Sequence, residues 1–584
     1  MASSTGSRTP SPDDRAGDTP AAGWSRRRLM AGAAALAGAA VPVAAGRAAA
    51  APATAPTAAG TAGAAEGAPF PAVSVRPGDA RYPDLVRGTN QRWTARPGSV
   101  HLVASTEQVR DAVQRAVDGG KRLTVRGGGH CYEDFVFNDA VETVIDLSEM
   151  TAVRYDERRG AFEVQAGATL TDVYERLYKA YGVVVPGGVC YSVGVGGHVS
   201  GGGWGMLCRR DGLIVDHLYA VEVVVVDARR QARAVIATRE PDDPHRDLWW
   251  AHTGGGGGNF GVVTRYWFRS PGATGTTPDT LLPKPPAEVL LSAVSWPWES
   301  MTEQAVTRLV RNYGAWHEAH ATAGGPYDGL VANLSLNHRS NGQIGLLTQL
   351  DATVPDARGL LDAFLRAVSD GVDVPHGALT SAMGEHGPMP EFATPRRLPW
   401  LQATRYLGVT NSVLVDPTLR GDQKSAYQRR NIPERQIATM YRHLTRTDFA
   451  NPNAMVLLSS YGAAVNSVSR TATASVHRDS AFKLLYQTYW NAADDDAANI
   501  TWLREIYEDV YAGTGGVPVS DENTDGCYVN YPDIDLSDPG RNRSGVPWST
   551  LYYGENYPRL QRVKAAWDPA DFFRHGQSIR LPGR

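Results

Sequence analysis

Three clusters of glycine, at residues 127–129, 187–205 and 254–261, limit what this chain of 584 residues can become more than any other feature. They hold 18 of its 61 glycines and lie at the ends of segments that read as strands. Glycine there lets the backbone come within hydrogen-bonding distance of a ligand and turn successive N–H groups toward one point, which suits a pyrophosphate. A single cluster is explained as well by a tight turn. Three in one region point to a dinucleotide. The first is reached through a strand-helix-strand unit: an apolar run at 100–104, then Ser105 with Gln108 as a capping box. The helix aligns Val109, Ala112, Val113, Ala116 and Val117 and stops at Gly119-Gly120, and residues 121–125 form the second strand.

Gly256, Gly258 and Gly261 have the spacing of the fingerprint used by nicotinamide-dinucleotide folds, but that motif needs a helix after it and an acidic residue about 20 positions on. Here Gly261 opens Val262-Val263-Thr264-Arg265-Tyr266-Trp267-Phe268, whose branched and aromatic residues read as a strand. The match is therefore accidental.

A net charge of -3 and a hydrophobic content of 42% exclude a polybasic nucleic-acid binder and a disordered chain. Four cysteines are too few for a disulfide-dense scaffold, though they allow two disulfides. No Cys-x-x-Cys or His-Glu-x-x-His pattern supports a metal site. At the N-terminus, Ser25-Arg26-Arg27-Arg28-Leu29-Met30 precedes a short Ala/Gly-rich run and resembles a twin-arginine export signal. The run is too short and too poor in large apolar residues for a membrane span, which leaves an uncleaved anchor as the minor alternative. Residues 1–48 are thus read as a signal segment and 49–91 as a linker and lead-in, with order beginning near Trp93. The expected location is outside the cytoplasm, reached through the twin-arginine export machinery.

Further along, Arg126-Gly127-Gly128-Gly129-His130, the block from Cys190 through Ser192-Val193-Gly194-Val195-Gly196-Gly197-His198, Gly201-Gly202-Gly203-Trp204-Gly205, Gly258-Asn259-Phe260-Gly261-Val262 and the tail Asp568-Pro569-Ala570-Asp571-Phe572-Phe573 stand together. This set resembles the berberine-bridge-enzyme-like FAD-linked oxidases of the vanillyl-alcohol-oxidase class. The resemblance runs from about residue 90 to the C-terminus and is weakest between 275 and 450. It implies an α+β protein: a PCMH-type FAD-binding domain at 92–272, a substrate domain with an antiparallel sheet covered by helices at 273–524, and a segment at 525–584 returning to the FAD domain. It also implies FAD held by two covalent bonds, from His130 to the flavin 8α-methyl and from Cys190 to flavin carbon 6. An imidazole nitrogen and a thiolate are suitable nucleophiles for that. The other expected cofactor contacts are Arg126, Gly127, Gly128, Gly129, Val193, Gly194, Gly196, Gly197, His198, Gly201, Gly202, Gly203, Gly258, Asn259, Phe260, Gly261, Val262 and Asn530. With Cys190 bonded to flavin, Cys131, Cys208 and Cys527 would be an odd remainder.

The chemistry implied is oxidation of an alcohol, which needs a base for the substrate proton. Cys527-Tyr528-Val529-Asn530-Tyr531 resembles the family's Tyr-x-Asn-Tyr segment, making Tyr531 the base. Read as a strand, the segment turns Tyr528 and Asn530 to the opposite face, toward the flavin. A tyrosine titrates near 10, so Tyr531 needs a cationic or hydrogen-bonding helper. Trp204 stands where many relatives carry a tyrosine, and indole cannot become an anion. Tyr461 and the run Tyr486, Tyr489, Trp490 are further substrate-facing candidates, and Val193 is placed to leave oxygen a path.

The middle region mixes strands at 330–336, 344–350, 455–460 and 482–490 with helices at 301–319, the first opened by a Ser300/Glu303 box, 356–368 and 494–511. The sequence thus predicts an exported oxidase acting on a sugar or glycosylated-metabolite hydroxyl, with hydrogen peroxide as coproduct. A dehydrogenase using another acceptor and a non-catalytic glycan-binding protein on the same scaffold are the alternatives.

Overall fold

The strand-helix-strand unit forms where its caps place it. In the computed structural model, which describes residues 70–583 except 276 and 411–414, the helix Thr106–Asp118 begins with the Ser105 side chain accepting from the Gln108 amide. Gln108 reaches back to the amide of Ala104 at 2.7 Å, one residue earlier than in the standard capping box. Its buried face is the predicted set Val109, Ala112, Val113, Ala116 and Val117. The flanking strands Ser99–Leu102 and Leu123–Arg126 both pair in parallel with Thr143–Asp146. Order starts earlier than expected: Val73–Val75 adds an antiparallel edge strand to Ser99–Leu102. Three residues are too few to show a period in the sequence. The arginine-led segment 1–48 lies outside the described residues.

A second, five-stranded antiparallel sheet runs in the order Val153–Asp156, Ala161–Gln165, Val262–Phe268, Leu218–Val226, Ala232–Thr238. Gly261 therefore does open a strand. Residues 183–185 do not form one. They are buried but make no ladder: the Val184 amide donates to the Pro283 carbonyl and the Val185 carbonyl accepts from the Gly187 amide.

The third sheet is antiparallel and eight-stranded. Its path is Gly377–Ala378, Glu288–Pro297, Gln343–Asp351, Leu330–Asn337, Ala454–Ser460, Phe482–Trp490, Arg420–Gln428, with Arg396–Pro399 also on Glu288–Pro297. Helices Glu303–Ala319, Ala357–Ser369 and Asp496–Val510 pack on it, completing an α+β architecture. Four of these strands, Glu288–Pro297, Gly377–Ala378, Arg396–Pro399 and Arg420–Gln428, are absent from the sequence reading. Arg420–Gln428 is hard to see because it is polar yet buried: Lys424 bridges Asp533 and Asp535 at 2.7 Å each. The helix start also differs, since Thr302 rather than Ser300 caps Glu303–Ala319. Ser300 lies in the preceding turn.

Two features position the cavity described below. First, the turn after Leu123–Arg126 and the turn at 190–194 touch backbone to backbone. A Cβ on Gly128 would meet the Gly194 nitrogen at 2.2 Å, and one on Gly194 would meet the Gly128 nitrogen at 2.2 Å. Second, the C-terminal segment is stitched onto the third glycine cluster. Lys564, fully buried beside the fully buried Asp568 at 2.7 Å, also donates to the Asn259 carbonyl at 2.7 Å. The Asn259 side chain accepts from the Ile579 amide, and the Tyr553 hydroxyl donates to the Gly255 carbonyl.

Gly194→Ala is expected to lower stability by about 3 kcal/mol, the upper end for overpacking, because backbone cannot swing aside as a side chain does. An unchanged denaturant midpoint would show the loops separable. Lys564→Met should cost about 3–5 kcal/mol by leaving the Asp568 carboxylate buried and unpaired, read from the same unfolding curves.

Candidate active site

The glycine turns converge on one cavity of about 380 Å³, the size class of small-molecule sites. Of the residues singled out from the sequence, Arg126, Gly127, Gly128, Gly129, His130, Cys190, Val193, Gly194, Gly196, Gly197 and His198 line it from the first two clusters. Gly258, Asn259, Gly261 and Val262 line it from the third, and Tyr528, Asn530 and Tyr531 from the C-terminal segment. Gly201, Gly202, Gly203 and Phe260 stand behind the lining. Gly201 is where Asn530 approaches, since a Cβ there would meet Asn530 Oδ1 at 2.0 Å. The Gly203 amide donates to the Tyr528 hydroxyl at 3.1 Å, and Phe260 packs edge-on against His252.

Along the first two turns the donors suit an anion. Arg126 is tethered at 2.7 Å to the buried Asp146 on the neighbouring strand, which leaves its buried Nε without a partner. With the backbone of 127–129 beside it, this set of donors suits a phosphate. His130 Nε2 meets Ser192 Oγ at 2.9 Å, which ties the first turn to the second. Burial, reinforced by the Arg126 cation, pulls the His130 imidazole down to about 4, so it is neutral. Burial and the Glu385 carboxyl push the Cys190 thiol up to about 12, so at neutral pH it holds its proton. All four cysteines are unpaired, and the two-disulfide alternative is not realised. His198 is a structural link: its neutral ring accepts from the Gly188 amide at 3.1 Å, and its carbonyl accepts from Asn530 at 2.9 Å.

At the other end, residues 528–531 form a turn rather than the expected strand, closed by the Tyr531 amide on the Tyr528 carbonyl at 2.9 Å. Alternation of faces therefore does not apply. The Tyr528 and Tyr531 rings meet edge to face, 5.0 Å apart. The Tyr528 oxygen is occupied by two donors, the Gly203 amide and Asn530 Nδ2. That makes it a positioning group. The Tyr531 oxygen receives a bond from Lys483 Nζ at 2.9 Å. Lys483, 2% exposed, lies over the faces of Trp204 at 4.0 Å and Tyr531 at 4.3 Å. Trp204 in turn is fixed by its indole N–H on the Ser460 carbonyl. Burial pulls the Lys483 ammonium down to about 7 and, with Glu385 and the two neighbouring tyrosines, pushes the Tyr531 phenol well up.

Lys483 is the cationic, hydrogen-bonding neighbour of Tyr531 that the sequence analysis leaves unassigned. Its signal was present: a lone lysine inside the apolar and aromatic strand Phe482–Trp490, where alternate residues share a face. The same alternation sorts the neighbouring candidates. Tyr489, on the face of Lys483, bonds the cavity-lining Tyr132 at 2.6 Å. Tyr486, on the other face, packs against Tyr507 and Tyr511, and Trp490 bonds Asp496. Tyr461 is also removed from the cavity. It is fully buried, with its hydroxyl donated to the His477 carbonyl.

Residues 97–231 match the family described as FAD binding domain, and residues 527–580 the one described as berberine and berberine like. The aclacinomycin-N/aclacinomycin-A oxidase of Streptomyces galilaeus is 50% identical over 518 residues, covering 88% of this chain and 91% of that protein. The hexose oxidase of Chondrus crispus is 33% identical over 539 residues, covering 86% and 93%. Among solved structures, CrmK, a flavoenzyme of shunt product recycling in caerulomycin biosynthesis, superposes with a TM-score of 0.83 at 49% identity over 87% of this chain and 99% of its own. The glycopeptide hexose oxidase DBV29, solved with teicoplanin, gives 0.81 at 47% over 88% and 99%. With its glycine-lined cavity, its paired tyrosines and relatives of this length and identity, the chain belongs to the berberine-bridge-like family of FAD-dependent oxidases.

Proposed function

We propose that this oxidase acts on a hydroxyl of a sugar or of a glycosylated small molecule, with Tyr531 as the base and with FAD attached through both His130 and Cys190. The observation that carries the reading is the 2.9 Å contact between Lys483 and Tyr531 at the cavity wall. Relatives named as hexose oxidases and as an oxidase of aclacinomycins support the substrate class. The arginine pair at Arg26-Arg27 ahead of a short apolar run supports export by the twin-arginine route.

The residues present fit FAD. Arg126, with its unpartnered Nε, and the turn 127–129 would hold the diphosphate, while the segment around Gly258 and Asn259 would supply a second stretch of close backbone. When bound, FAD would supply the hydride acceptor, with oxygen as the final acceptor and hydrogen peroxide as the coproduct, and Val193 would leave the oxygen path. His130, neutral and facing the cavity, is ready as a nucleophile, whereas Cys190 must first lose its proton.

The remaining work belongs to the Lys483–Tyr531 pair. Below about 7 the pair holds an ammonium and a phenol and has no base to offer. Above it the pair has lost one proton, whichever of the two atoms carries the vacancy, and Tyr531 can take the proton of a substrate hydroxyl. The face of Trp204 favours the ammonium and so a phenolate on Tyr531. A tryptophan in place of a second tyrosine thus supports the base without sharing its proton.

Substrate-dependent flavin bleaching is therefore expected to rise about tenfold per pH unit up to pH about 7 and then level. Tyr531→Phe should slow it by roughly 10²–10⁴-fold. Lys483→Met should remove the inflection near 7, and a retained inflection would assign the titration to another group. Acid precipitation tests the attachment: flavin should stay with protein in His130→Ala and in Cys190→Ala, and leave only in the double variant. Release from the wild-type protein would exclude covalent bonds.

A further inference from the structure

One cavity-lining side chain has no part in the chemistry above. Glu385 is the single acidic residue among the described residues that line the cavity. It sits at the tip of a two-residue turn closed by Met383 and His386, whose backbones exchange bonds of 2.8 and 3.0 Å, with Gly384 at φ +57°. Both closing side chains are buried. The approach is clamped as well. The Gln343 side chain accepts from the amides of Thr380 and Ser381, and Asn341 donates to the Ala382 carbonyl. The fold thus holds a rigid turn that presents one carboxyl group to the cavity.

Hydrogen-bond bookkeeping shows what that carboxyl lacks. The Tyr489 oxygen accepts from Gln487 Nε2 and from the Tyr132 hydroxyl at 2.6 Å, which leaves its own proton for Glu385 Oε1 at 3.4 Å. One long bond is all that the described residues give it, whereas an ionised carboxylate accepts about four. The open sites face the cavity that also holds Tyr531, and the influence of Glu385 reaches Tyr531, Lys483 and Cys190. A partner must be a hydrogen-bond donor carried on the same molecule as the hydroxyl that Tyr531 deprotonates.

We propose that Glu385 selects the substrate by accepting a hydrogen bond from a second ring hydroxyl, so that the site prefers polyhydroxylated rings over simple alcohols. This rests on the sugar-hydroxyl reading above and deepens it. A site built to accept from a hydroxyl rejects the analogue that lacks it, because the carboxylate is then left buried and unpaired.

The test is an anaerobic titration of the flavin-loaded enzyme with D-glucose and its 2-, 3-, 4- and 6-deoxy analogues, reading the flavin absorbance. In the wild-type protein one deoxy analogue should require roughly 10- to 100-fold more sugar for half-saturation. Glu385→Leu should weaken glucose by a similar factor while changing that analogue by less than about threefold, and Glu385→Gln should fall between. This coupling separates contact from general damage, which would weaken every sugar alike. Equal weakening of all five sugars, or of none, overturns the role of Glu385 and leaves the sugar-oxidase reading intact. If no sugar perturbs the wild-type flavin, the proposal for Glu385 falls together with the free-sugar part of the reading on which it rests.

Discussion

The active site depends on two backbones touching. Gly128 and Gly194 come from turns that follow different elements and approach so closely that neither can carry a Cβ. That contact sets the spacing between His130 and Cys190, which flank it in sequence, and the bond from His130 to Ser192 reinforces it. The strands behind them contribute position and not chemistry. Arg126 ends a parallel pair, and its cation is aimed by Asp146 on the next strand. A sequence with larger residues in these turns could keep all three sheets and lose the cavity.

The reacting end is organised by a different constraint, the cost of burying an ammonium. Among the described residues, Lys483 has no carboxylate within bonding distance. It relies on aromatic faces and the Tyr531 oxygen, a weaker substitute for water than a salt bridge. That shortfall brings its titration down to about 7. A carboxylate in contact would have stabilised the fold and fixed the lysine in its charged state, where it has nothing to exchange. Elsewhere the protein makes that opposite choice: burial pulls Lys424 down, but Asp533 and Asp535 on either side of it outweigh burial and leave it above its usual range. Two buried lysines in adjacent strands are thus set apart by their neighbours alone.

What was legible in the sequence follows from how far apart in the chain the interacting parts lie. The glycine turns, the helix Thr106–Asp118, the strand after Gly261 and the C-terminal tail motifs are local patterns, and they stand where the residues place them. The turn at 528–531 was misread as a strand because its aromatic residues favour one, while its backbone is bent by packing against Gly201 and Gly203. Lys483 reaches the site through the pairing of a sheet whose strands are scattered between 288 and 490, and Glu385 through a turn clamped onto that sheet by Asn341 and Gln343. No spacing rule links them to Tyr531. Tyr461 shows the converse: it ends a well-read strand, yet its hydroxyl is taken by His477.

The stitching of the tail onto Asn259 bears on when the site can exist. Tyr531, Asn530 and the anchors Lys564 and Ile579 all come from the last tenth of the chain, and they complete a cavity whose glycine-lined walls are made within the first half. While the chain is still being synthesised, the glycine turns and the nucleotide cradle can be present, but their far wall is still inside the ribosome. The cleft therefore stays open until residues 527–580 have emerged, and a stop that removes this segment would leave the fold's sheets in place and take away the wall that encloses the cavity.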